Sequence, residues 1–293
     1  MLTRRQFNTT LCTAAGLLLA DRSAMASPSS PHFAEDMKQL ETKSGGRLGV
    51  AVLDTKDGTL LEHRGDERFP MCSTFKLLAA AAVLKGSGDD LAGLQRRVHF
   101  EKSDLVTYSP ETEKHVGSEG MSLADICQAA VTLSDNTAGN LMLKNIGGPA
   151  GLTAFARSLG DQVTRLDRIE PDLNEAVPGD PRDTTSPNTM AATVRKLVLG
   201  DALNAAARDQ LTRWLVANKT GDARLRAGLP HGWRVGDKTG TGHLGTNNDV
   251  AIAWPTNRPP LIITCYLTGS TLEMVAQNEI IASIGRAVGT AFG

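Results

Sequence analysis

Strand-like sequence is confined to the two ends of this 293-residue chain, and that placement limits the fold more than any other feature. Near the start, Leu48 to Asp54 is a compact apolar run, and Gly58 turns it back into Thr59–His63 as a hairpin. Near the end, Trp233–Lys238, Asp249–Trp254 and Leu261–Leu267 have the same character, the last two joined by the turn Pro255–Pro260. Helical periodicity flanks these runs. Phe33, Met37 and Leu40 share a face at the start, and Ile280, Ile281, Ile284 and Val288 form a stripe at the end. Between residues 73 and 220 the pattern is mostly helical, broken by Gly, Pro and Asp. The expected fold is therefore α/β of the α+β kind and two-lobed. An antiparallel sheet from both chain ends carries flanking helices, and an all-helical lobe is inserted between its halves. The expected junctions lie near residue 72 and residues 218–230, and a ligand crevice is expected between the lobes.

Residues 1–26 read as an export signal rather than as part of that fold. Arg4-Arg5 opens them, Leu11–Ala20 is a short apolar segment, and Ala24-Met25-Ala26 supplies the small residues of a cleavage site. The paired arginines followed by Gln6-Phe7 resemble a bacterial twin-arginine signal, so the expected location is periplasmic or secreted. The apolar segment is too short to span a bilayer, and no membrane attachment is expected after cleavage. The remainder, 27–293, is expected to be a single catalytic domain, with a sheet lobe over 27–72 and 220–293 and a helical lobe over 73–219.

Net charge is −1 and aromatics make up only 4% of the chain, so neither charge nor a stacking surface points to nucleic acid. Cys72, Cys127 and Cys265 remain after the signal, an odd number that leaves at least one free thiol. There is no CxxC, and the six histidines are never paired at helical spacing, so no metal site and no cofactor are expected. Nothing demands more than a monomer.

The chemistry concentrates in four short segments. In Cys72-Ser73-Thr74-Phe75-Lys76 a loop enters an Ala/Leu-rich helix, so Ser73 and Lys76 rise on one face as a hydroxyl beside an amine. About one Ser-x-x-Lys is expected by chance in such a chain. Ser134-Asp135-Asn136 follows an apolar helical face. Its plain reading is an N-cap in a loop, and its chemical one is a hydroxyl that relays a proton beside an amide that binds a carbonyl. Lys238-Thr239-Gly240-Thr241-Gly242 continues a strand, with a cation and two hydroxyls suited to a carboxylate, although by itself a hairpin turn with a solvated lysine explains it slightly better. Glu170 and Asn174 stand four apart in a Pro-rich loop from Arg165 to Pro187 and could hold one water, while Arg168 and Asp183 could close its neck as an ion pair. Chance occurrence of the set is about one or two in a thousand.

In that order the segments resemble the class A serine β-lactamases. The likeness extends to Asp104–Pro110, which resembles the family's segment with an aromatic at the pocket mouth, here Tyr108, and to Arg165–Asn174 with Arg182–Thr185, which resemble its omega loop. The resemblance implies hydrolysis of the amide bond of penicillin- and cephalosporin-type antibiotics. Ser73 would attack and be acylated, its proton going to Lys76 or, through a water, to Glu170. Ser134 would protonate the leaving nitrogen. Asn136 would bind the side-chain amide, and Lys238, Thr239, Gly240 and Thr241 would line the carboxylate side. The N–H groups of Ser73 and Thr241 would form the oxyanion hole, and Glu170 with Asn174 would position the hydrolytic water.

The family's frequent arginine beyond Lys-Thr-Gly is replaced at Thr246-Asn247-Asn248, and Arg224 matches the alternative position. Cys72 resembles members whose cysteine there is bridged to one just after Lys-Thr-Gly-Thr; this chain has Gly242 at that place. A penicillin-binding D,D-peptidase shares three of the segments but lacks the Glu170–Asn174 water site. A β-lactam sensor would acylate without turning over and is usually tethered to a membrane domain.

Overall fold

The computed structural model describes residues 30–117 and 119–293, so the expected export signal lies outside the described residues. Helix α1 (Ser30–Ser44) leads into a hairpin of β1 (Arg47–Asp54) and β2 (Leu60–His63). A short β3 (Phe69–Pro70) passes through a 3-10 turn, Cys72–Thr74, into α2 (Phe75–Gly86). The two-residue strands β4 (Arg97–Val98) and β5 (Met121–Ser122) precede α3 (Leu123–Thr132), α4 (Asn136–Asn145) and α5 (Gly148–Ser158). Next come β6 (Thr184–Thr185), α6 (Pro187–Val198), α7 (Ala205–Val216) and the single turn α8 (Leu225–Gly228). The chain closes with β7 (Arg234–Gly242), β8 (Thr246–Trp254), β9 (Leu261–Thr268) and α9 (Met274–Phe292).

Both chain ends build one five-stranded antiparallel sheet in the order β2-β1-β9-β8-β7. β1 and β9 pair along their whole length, from Arg47 against Thr268 to Asp54 against Leu261. The period-2 alternation of strand side chains divides the core in two. Leu48, Val50, Val52, Ile263, Cys265 and Leu267 face α1 and α9. Ala51, Val250, Ile252, Ile262 and Tyr266 face the helical part of the chain. Strands buried on both faces read as unbroken apolar runs rather than alternating ones, which is how β9 looks in the sequence.

Two strands exceed their expected limits. β7 runs through Lys238-Thr239-Gly240 to Gly242, so this segment is strand and the turn lies after it. β8 starts at Thr246, not Asp249. Asn and Asp are poor strand formers by propensity. Here Asn247, Asn248 and Asp249 are fully buried and hydrogen-bonded to other elements, which overrides that preference.

Helix α2 is the axis of the helical part. Nine of its twelve residues are buried, Lys76 among them, and it is apolar on every side because α4, α5 and α7 surround it. Among the described residues no helix is long and apolar enough to cross a membrane.

Candidate active site

The turn that carries Ser73 is set by its neighbours. The Thr74 N–H and hydroxyl both donate to Met71 O, at 3.2 and 2.8 Å. Cys72 adopts φ +46°, a left-handed conformation that is uncommon for a residue with a Cβ. Such backbone strain costs about 1–3 kcal/mol and needs a surround that enforces it. Cys72 is fully buried and free, and burial pushes its thiol well above the ordinary range. A Cβ on Gly242 would lie 2.6 Å from Cys72 Sγ and 2.8 Å from Asn174 O, so the glycine lets β7 close onto both segments.

One residue into α2, Lys76 Nζ is surrounded by oxygens. It donates to Ser73 Oγ at 2.8 Å, to Ser134 O at 2.8 Å and to Asn136 Oδ1 at 2.6 Å, and lies 2.9 Å from Glu170 Oε1. An ammonium has three N–H groups and a neutral amine only two, so four oxygens fit the charged form. Burial pushes the Lys76 amine below its ordinary value, and the Glu170 carboxylate opposes that shift. The proton is therefore held, but less firmly than in water. Ser73 Oγ in turn donates to Glu170 Oε1 at 3.1 Å, so serine and glutamate touch directly here.

Ser134 and Asn136 reach this chamber because Asp135 between them is an anchor. Its carboxylate caps α4 by accepting from Ala138 N at 2.8 Å and also holds Thr112 N and Glu111 N, at 2.9 and 3.0 Å. Ser134, at φ +60°, is a second left-handed residue. The cap reading and the chemical reading of this segment are both realised, on different residues. The Asn136 amide donates to Thr107 O at 2.8 Å, and its N–H donates to Tyr108 O at 2.9 Å. That staples the loop bearing Tyr108, a residue 57% exposed.

The loop that carries Glu170 is closed by the Arg168–Asp183 ion pair at 2.6 Å. Asp183 does more than pair: its Oδ1 accepts the N–H groups of Asp167 and Arg168 at 2.7 and 2.9 Å. Asn140 holds the main chain of Glu170 on both sides. It donates to Glu170 O and accepts Glu170 N–H, each at 2.9 Å. Asn140 escaped the sequence reading, although it stands one helical turn after Asn136 on α4 and that spacing was the available signal. Asn174 Nδ2 donates to Glu170 Oε2, and the buried Asn174 Oδ1 has no partner among the described residues.

β7 forms the opposite wall. Lys238 Nζ donates to Ser134 Oγ at 3.1 Å and to Thr239 O at 2.9 Å. Burial pushes Lys238 well below the ordinary lysine value, and the charge on Lys76 pushes it further. The Thr239 hydroxyl meets the Thr220 hydroxyl at 2.5 Å. Buried Arg224 donates to Gly240 O at 2.9 Å, Asn248 O at 2.6 Å and Thr241 Oγ1 at 2.7 Å. Its Nε and the Asn247 amide both donate to Asn278 Oδ1, at 3.2 and 2.9 Å, so the Arg224 guanidinium and Asn247 converge on one acceptor. Behind the strand, burial raises the Asp237 and Asp249 carboxyls above the ordinary range, the latter strongly.

The structure thus gathers Ser73, Lys76, Ser134, Asn136, Glu170, Asn174 and Lys238 into one contiguous network, with Thr239, Gly240, Thr241 and Arg224 along the β7 wall. Among the described residues no group of three His, Cys, Asp or Glu side chains is placed to hold a metal ion.

The profile of the β-lactamase enzyme family matches residues 32–292. The chain is 48% identical to β-lactamase CTX-M-97 of Escherichia coli over 288 residues, 98% of this chain and 99% of that one. It is 50% identical to β-lactamase AST-1 of Nocardia asteroides over 275 residues, 94% of this chain and 87% of that one. The solved structure of an ancestral (GNCA) class A β-lactamase superposes with a TM-score of 0.86 at 63% identity, covering 89% of this chain and 100% of the other.

Proposed function

The chain belongs to the class A β-lactamases, serine hydrolases that open the amide bond of β-lactam antibiotics and so give resistance, and we propose that it does so through an acyl-enzyme on Ser73. The observation that carries this reading is the position of Ser73 Oγ, 2.8 Å from Lys76 Nζ and 3.1 Å from Glu170 Oε1. The Ser73 hydroxyl gives its proton to Glu170 as Oγ bonds to the lactam carbonyl carbon. The acceptor count around Lys76 favours Glu170 as the first base, because an ammonium cannot take that proton.

The tetrahedral oxyanion is received by the N–H groups of Ser73 and Thr241, each worth about 3–4 kcal/mol in comparable enzymes. As the C–N bond breaks, the nitrogen takes the Ser134 proton. Lys76 gives a proton on to Ser134 and takes up the one that Glu170, 2.9 Å away, had received from Ser73, so the Ser134 hydroxyl and the Glu170 carboxylate are both restored before hydrolysis. Ser134 Oγ already accepts from Lys238, which leaves its own O–H free to donate forward. Asn136 and Tyr108 flank the antibiotic's side chain, and Lys238, Thr239, Thr241 and Arg224 hold its carboxylate. Water then attacks the ester. Glu170 removes its proton, and the unpartnered Asn174 Oδ1 supplies the second acceptor such a water needs. Ser73 leaves with a proton, and the enzyme is restored.

Residues 1–26 act as the export signal in this reading. Residues 27–293 work as one monomeric catalytic domain in the periplasm or outside the cell, with sheet and helical lobes meeting at the site. The test is mass spectrometry during turnover of a chromogenic cephalosporin. Wild type is expected to show little adduct and Glu170→Ala to accumulate it. A wild type that stays acylated would overturn hydrolysis in favour of a sensor.

A further inference from the structure

The two N–H groups assigned to the oxyanion hole belong to different elements, the Ser73 turn and the edge strand β7, and nothing covalent fixes their separation. We infer that Asn248 is the positioning residue that sets it. Asn248 is fully buried on β8, directly opposite Gly240 in the register. Cross-strand partners point to the same face. Because Gly240 has no side chain, the Asn248 amide reaches across it and donates to Pro70 O at 2.9 Å and Met71 O at 3.1 Å. Those two carbonyls lead into left-handed Cys72 and then Ser73, and Met71 O is the same acceptor that closes the turn through Thr74.

The main-chain oxygen of Asn248 also accepts from Arg224, which bonds Gly240 O and Thr241 Oγ1 on the strand that bears the second N–H. One residue therefore touches both halves of the hole. Gly240 is its counterpart: a Cβ there would stand 2.8 Å from Met71 O and 3.3 Å from Asn248 Nδ2, so only a glycine lets strand and turn approach. The Asn248 Oδ1 is buried with no partner among the described residues. Such an orphan acceptor is a penalty to stability, so the side chain is better explained by where its N–H groups pull than by net stabilisation.

This inference rests on the reading of Ser73 and Thr241 as the oxyanion hole. Displacing such a donor by a fraction of an ångström is expected to lower kcat/KM for a penicillin about 10- to 100-fold in Asn248→Ala. The inhibition constant of an aryl boronic acid, which forms a tetrahedral adduct on the serine, is expected to rise by a similar factor. Penicillin affinity in a Ser73→Gly background, where only ground-state binding is read, is expected to stay within about twofold. Gly240→Ala, which presses on the same gap from the other side, is expected to weaken the boronate in the same way and serves if Asn248→Ala does not fold.

Activity that falls with unchanged boronate affinity would overturn the assignment, as would a loss confined to ground-state binding. A wild type that neither turns over a β-lactam nor binds the boronate would overturn the hydrolase reading itself, and this inference with it.

Discussion

Two buried lysines face each other across the groove, and they are not treated alike. Lys76, on the helical side, is enclosed by four oxygens that include the Glu170 carboxylate. Lys238, on the strand side, contacts a hydroxyl and its neighbour's carbonyl. Among the described residues it makes no salt bridge with a carboxylate. Both are pushed down by burial. For Lys76 the next influence is an attractive carboxylate, whereas for Lys238 it is repulsion from Lys76. One cation is internally balanced and suited to holding and passing a proton. The other has no carboxylate in contact among the described residues, only the more distant pull of Asp237 and Asp249, which suits the carboxylate-binding role proposed for it.

Substitutions can break that comparison. Lys76→Ala removes the amine that touches Ser73, Ser134 and Glu170 together, and kcat/KM for a penicillin is expected to fall about 10²- to 10⁴-fold. The loss should appear mainly as slower acylation in stopped-flow traces. Lys238→Ala is expected to cost about 10- to 100-fold, with a substantial share in KM. Equal losses confined to kcat in both variants would mean that the two cations do the same work. Arg224→Ala lies further along the strand wall and is expected to raise KM about five- to tenfold with kcat nearly unchanged. An unchanged KM would move the carboxylate partner elsewhere.

The smallest and sharpest effect is on pH. A lysine whose folded pKa is depressed binds fewer protons folded than unfolded between its lowered value and the ordinary 10.5. Stability linked to Lys238 is thus present above the unfolded value and lost as pH falls through the folded one. Carboxylate binding runs the opposite way, because it needs the charged lysine. The alkaline limb of kcat/KM is expected below the ordinary lysine range and should move upward in Lys238→Arg. A limb that does not move in that variant belongs to another group.

The same contrast decides what could be read from the sequence. The four segments that meet at the candidate site were legible because each is a short local pattern that chance does not supply together. The sheet was legible through its apolar runs and its placement at the chain ends. The supporting polar residues were not. Asn140 and Asn248 act through contacts to chain far away, Asn248 across more than 170 positions to Pro70. Asparagine in a strand reads as a turn until its partners are known, and for that reason β8 was expected to begin three residues late. Three left-handed residues at the site, Cys72, Tyr108 and Ser134, were equally invisible, because none is a glycine.

β7 is the last strand of the sheet, with no further strand beyond it. An edge strand ordinarily invites pairing with another chain. Here α7 and the turn that carries Ser73 pack against it. On the proposed function, a β-lactam that bears a side-chain amide would line up along β7 as a fragment of added strand. Recognition by main-chain groups cannot be deleted by exchanging side chains. On the proposed function, adaptation to new antibiotics would then be channelled to exposed side chains such as Tyr108, His243 and Leu244.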